Sequence, residues 1–160
     1  MKYRSINNFQ DFEFHDCVFS LISWENDRLT ISAKHLNIHE TAEQNTFGSD
    51  MEIDEAHIIF YGFQLNEFEP SRNWYQDANG NLQTNEPLII YKGTKARSMF
   101  ENELLNSFVV IGIAVTDGEY ELGAIGIDPY FSARFIISDI EILWDNYIGP
   151  SWYKKCSTDI

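Results

Sequence analysis

The stretch FEFHDCVFSLISWENDRLTISAKHLNI, Phe12 to Ile38, decides the fold. Cys17, Phe19, Leu21 and Ser23 alternate with Val18, Ser20, Ile22 and Trp24; beyond Glu25-Asn26-Asp27, Leu29, Ile31 and Ala33 alternate with Thr30, Ser32 and Lys34. Successive side chains of a strand point to opposite faces, so period two on both sides of a polar turn predicts a long β-hairpin. Such a hairpin has an apolar face that another layer must cover.

Working outward, the chain on either side supplies that layer. His57, Ile59, Tyr61, Phe63 and Leu65 alternate with Ile58, Phe60 and Gly62, a single strand with apolar residues on both faces. Phe108 to Val115 is apolar and rich in β-branched residues, Asp117-Gly118 turns it into Tyr120 to Ile127, and Phe131 to Trp144 reads as one final long strand. Asn79-Gly80, between Trp74-Tyr75-Gln76 and Leu82-Gln83-Thr84, predicts a protruding hairpin. Ala96, Met99, Phe100 and Leu104 recur at helical spacing. Asn37 to Asp50 is polar and acidic, which predicts a surface loop or a loosely held edge. The expected fold is mainly β, one domain over 1–160: a two-layer antiparallel sandwich or strongly curved sheet of about seven to nine strands, with one short helix near 96–106. The aromatic tail from Tyr147 to Tyr153 should dock back on the body.

Charge narrows the function classes. Eleven Lys plus Arg against 25 Asp plus Glu give a net charge of −14, and no Lys or Arg occurs between Lys34 and Arg72. Phosphate backbones and anionic lipids are bound by cations, so this balance argues against nucleic acid and against a membrane surface. The first ten residues hold no apolar core of a signal segment, and no apolar run is long enough to span a bilayer, so the cytoplasm is the expected compartment. Cys17 and Cys156 make neither a disulfide framework nor a zinc spacing and read as buried thiols.

Three groupings could carry chemistry. In Phe14-His15-Asp16 a carboxylate follows an imidazole, but neighbours on a strand face opposite ways and should not pair. His35 and His39, with Glu40, Asp54, Glu55 and His57 near in sequence, resemble metal donors; on a straight strand the two histidines would be about 13 Å apart, too far to share an ion. Asp77 to Glu86 mimics a calcium loop with Gly80 at its sixth place, yet Tyr75 falls where the first carboxylate belongs and Pro87 where a helix should run. No cofactor and no metal ligand set is therefore expected.

Phe14-His15-Asp16 at the start of the hairpin, with Trp144-Asp145 and the Trp152-Tyr153 tail, resembles small uncharacterised bacterial all-β proteins, some of them immunity-like proteins that neutralise a toxin. The resemblance covers the chain ends and implies no catalytic residues. The leading reading is a non-enzymatic binding domain, an inhibitor or immunity-like protein that sets an acidic surface against a basic protein partner. Glu52, Asp54, Glu55, Glu67 and Glu69 would supply the charge, and Trp74 and Tyr75 the aromatic anchors. One alternative is a small-molecule or metal-dependent enzyme with a pocket drawn from His15, His35, His39 or His57; another is a structural module forming a homodimer through its aromatic tail.

Overall fold

The computed structural model describes residues 1–155. Cys156 lies outside them. Strands β1 (Tyr3–Ile6), β2 (Phe12–Glu13), β3 (Val18–Glu25), β4 (Arg28–Lys34), β5 (Asn37–Ile38), β6 (Met51–Ile53), β7 (Glu55–Tyr61) and β8 (Gln64–Glu69) fill the first half. The small hairpin β9 (Tyr75–Gln76) and β10 (Leu82–Gln83) precedes helix α1 (Gly93–Asn106). β11 (Phe108–Thr116), β12 (Glu119–Ile125), β13 (Phe131–Ile136), β14 (Asp139–Trp144), β15 (Tyr147–Pro150) and the turn of helix α2 (Trp152–Lys155) complete the chain.

Nine strands form one antiparallel sheet in the order β1-β14-β7-β4-β3-β11-β12-β13-β8. It folds over on itself, because rings from its two halves meet: Phe60 lies 5.9 Å from Phe135, and Phe63 5.0 Å from the same ring. The expected curved, mainly β architecture is what forms. Helix α1 packs between β8 and β3, and its Phe100 enters the core beside Trp24, Phe63, Phe108 and Phe131. Buried Glu103 on α1 accepts the Ile127 N–H at 2.8 Å and the Asp128 N–H at 3.0 Å, which ties the helix to the turn after β12.

The opening hairpin is as read, with Glu25 paired to Arg28 across Asn26-Asp27, but its faces are not. A bulge between Leu21 and Ser23 leaves Ile22 45% exposed and switches the parity, so Trp24 shares the inner face with Phe19 and Leu21. Each of the two long strands predicted at His57–Leu65 and Phe131–Trp144 is broken in the middle. β7 pairs with β14 and β8 with β13, with Tyr61 opposite Asp139 and Gln64 opposite Ile136, so both strands bend together and carry one ribbon from the first layer to the second. The bend needs Gly62: its φ is +61°, and a Cβ there would lie 2.7 Å from Ser138 Oγ.

A second sheet, in the order β15-β6-β5-β2, is built of strands only two to four residues long, too short for a period to be read in the sequence. Each continues a strand of the large sheet: β2 into β3, β4 into β5, β6 into β7 and β14 into β15. Since β14-β7-β4-β3 are neighbours in that same order, the small sheet is the folded-over end of the large one. Trp144, fully buried, fills the fold between them, stacked on Tyr3 at 5.4 Å and edge-on to Phe12 at 5.8 Å. The segment that follows β5 is the expected loop and not a loose edge. Buried Asn45 donates to the carbonyls of Ile38, His39 and Ser49 and accepts the Phe47 N–H, so one amide organises the acidic segment.

Candidate functional site

The site grows out of the turn joining β2 to β3. Phe14 is driven into the core, the Cys17 N–H closes back on the Phe14 carbonyl at 3.0 Å, and Asp16 takes a φ of +65°. The Phe-His-Asp run is thus a tight turn and not a strand, which corrects the expectation that His15 and Asp16 must face apart: His15 Nε2 lies 3.6 Å from Asp16 Oδ1. Its Nδ1–H donates to the Ile111 carbonyl at 2.6 Å, and the ring turns toward solvent.

Glu13, His15, His39, Trp152 and Tyr153 line one cleft of about 370 Å³. Strand β2 brings Glu13, the chain after β5 brings His39, and α2 brings Trp152 and Tyr153. Asp50 stands behind His39 and Tyr153. Its Oδ1 accepts the Glu40 N–H at 2.8 Å; its Oδ2 accepts the Tyr153 hydroxyl at 3.0 Å and His39 Nδ1–H at 3.5 Å, with Lys154 Nζ 3.8 Å away. Burial works to raise the Asp50 carboxyl, but these donors and the ammonium outweigh it and hold the group below the ordinary carboxylate range. Tyr153 is pushed up to about 12, by burial first and then by its hydrogen bond to Asp50 and the charge of that carboxylate.

A group whose folded value is depressed stabilises the fold above its unfolded value and loses that contribution as pH falls through the folded one. The stability difference between wild type and Asp50→Asn is therefore expected to be full at pH 7 and to close below about pH 4, the ordinary Asp value. Paired thermal melts from pH 7 to pH 2.5 read it out; a difference that stays constant would refute the assignment.

His35, His39 and His57, weighed as metal donors, take separate places. His35 sits at the corner after β4 with a φ of +60° and donates to Glu52 Oε1 at 2.7 Å, while His39 faces Asp50. His57 is on β7 near Asp54, Glu55 and Asp145, in a separate shallow depression. Among the described residues no three His, Cys, Asp or Glu are placed to hold one metal ion. In the calcium-like segment, Asp77 Oδ1 accepts the N–H groups of Asn79 and Asn81, an Asx turn that closes the β9–β10 hairpin. Cys17 is buried in the core, and burial pushes its thiol far up.

The acidic residues expected to bind a partner fall into two groups. Glu52, Asp54 and Glu55 lie at the folded-over end, with Asp54 and Glu55 exposed and Glu55 accepting the Ser32 hydroxyl. Glu67 and Glu69 lie on β8, beyond the bend of the ribbon. Glu67 is engaged by Lys92 at 3.3 Å and approached by Arg134 at 4.0 Å. Trp74 and Tyr75 are about half exposed; the Arg72 guanidinium lies 4.9 Å from the Trp74 ring centre, and the Tyr75 hydroxyl donates to Asn85. Sequence reasoning passed over Glu13, Asp50 and Tyr153. The one signal for the cleft was the joint appearance of Phe14-His15-Asp16 and Trp152-Tyr153 in the sequence, of which His15, Trp152 and Tyr153 line it. Comparison with protein-family models, with curated proteins and with solved structures found no match.

Proposed function

We propose that the chain is a non-enzymatic, cytoplasmic binding domain, an inhibitor or immunity-like protein that docks a basic protein partner on its folded-over end. The observation that carries this reading is the layout of the four corners between the sheets. Exposed Asp16, Asp54 and Asp145 occupy three of them, and Glu52 faces His35 at the fourth. With a net charge of −14 behind them, these corners form an anionic rim that speeds encounter with a cationic surface. Trp152, 49% exposed at the same end, is an aromatic anchor of the kind that carries interface energy. The residues of the immunity-like resemblance lie here too, His15, Trp152 and Tyr153 in the cleft and Asp145 at a corner.

No helix among the described residues is long and apolar enough to cross a membrane. A second reading, a small-molecule enzyme, is favoured by one feature: His15 and His39 share the cleft with Glu13, with Asp50 behind them. Partner capture separates the two. Immobilised full-length chain is expected to retain a basic protein and to lose it about tenfold as salt rises from about 0.05 to about 0.5 M, with Asp54→Lys combined with Glu55→Lys weakening retention to a similar degree. Retention indifferent to salt and to these charges, or no basic partner at all, would refute the binding reading.

A further inference from the structure

Past Val110 the large sheet has lost a neighbour. β11 pairs with β3 only through Phe108 and Val109, because the chain preceding β3 turns off at Cys17 into the small sheet. Val110 is still held by the Cys17 carbonyl and the Asp16 N–H, and Ile111 by His15. From Gly112 to Thr116 the backbone bonds to β12 on one side, and among the described residues no backbone bond reaches the other. In an antiparallel pair, alternate residues point both N–H and C=O away from the partner strand, so this edge presents free polar groups. Its sequence, Gly112-Ile113-Ala114-Val115-Thr116, has neither charge nor proline, and Ala114, Val115 and Thr116 are exposed. Edges left open are usually guarded by Lys, Pro or a covering loop; the bulge between Val110 and Gly112 lies at the start of this one, not within it.

We infer that the Gly112–Thr116 edge accepts an extended, basic segment of the partner protein as an added strand, with one Lys or Arg of that segment seated in the cleft beside it. The inference rests on the binding reading above. Continuity places the two features together: a strand laid along the edge toward Ile111 runs onto His15, which is bonded to the Ile111 carbonyl and forms a wall of the cleft. Charge selects the occupant. Glu13 lines the cleft, Asp16 is exposed at the same turn, and Asp117 is exposed just past the far end of the edge. A second copy of this chain would set those carboxylates against their own kind, whereas a basic strand neutralises them. The exposed Trp152 ring offers its face to the cationic head, and main-chain bonds along the edge give such a complex its register.

The test selects a displayed library of random ten-residue peptides on the full-length chain, then follows amide exchange with the winning peptide bound. Selected peptides are expected to alternate β-branched residues and to carry Lys or Arg at one position. Binding should slow exchange of amides within Gly112–Thr116 about tenfold or more. Trp152→Ala, and separately Ala114→Lys at an exposed site that leaves the core intact, should each weaken the peptide about tenfold. Selection of acidic peptides or of none, or protection confined to the cleft, overturns the inference. So does protection of these amides that rises with protein concentration in the absence of peptide, which would make a second copy the occupant. If a basic protein is still captured in a salt-sensitive way while exchange at the edge is unchanged, the binding reading stands and strand addition fails.

Discussion

Trp144→Ala is expected to lower stability by about 4 kcal/mol, within the roughly 3–5 kcal/mol range for truncating a large buried aromatic ring. Trp144 is fully buried, at the end of β14 where the large sheet folds over. Tyr3 from the edge strand, Phe12 from the small sheet and Tyr147 just past the corner all pack on it. Alanine leaves a cavity that none of the three can collapse into, since each is pinned by a different strand. Trp144→Phe keeps a ring against Tyr3 and Phe12 and is expected to cost less than half as much. Urea unfolding followed by far-ultraviolet circular dichroism distinguishes the pair; equal losses would show that the ring contacts are not what holds the two sheets together.

Gly62→Ala is expected to cost about 3 kcal/mol. Two independent terms add: a non-glycine residue at φ +61° costs roughly 1 kcal/mol, and the new methyl group meets Ser138 Oγ at 2.7 Å and Ser138 Cβ at 3.0 Å, overpacking worth roughly 1–3 kcal/mol. Adding Ser138→Gly removes the second term and leaves the first, so the double variant should recover about two-thirds of the loss. Recovery of all of it, or none, would show that only one of the two terms operates.

These two residues mark where periodicity stops being informative. Alternation identified the Phe12–Ile38 hairpin, the Asp117-Gly118 turn and the Asn79-Gly80 turn, because strand period and turn chemistry are local properties. Helical spacing located α1, although it begins at Gly93, three residues ahead of the expected start. Alternation cannot report a bend that both strands of a ribbon make together, since the hydrophobic pattern runs on through Gly62-Phe63 and through Ile137-Ser138. Nor can it report a bulge at Ile22, where one unpaired residue reverses every later side chain. The small sheet was hidden for a related reason: a two-residue strand has no period to read. The cleft was the least legible part, because Glu13, His39, Asp50 and Tyr153 are separated along the chain and meet only through the four corners.

The shared strand order of the two sheets has a mechanical consequence. A load on the folded-over end pulls on β3, β4, β7 and β14 at once, through four short covalent links, and not on one hinge. Tension applied there spreads over a whole layer, so that end can be held tightly without peeling away from the body.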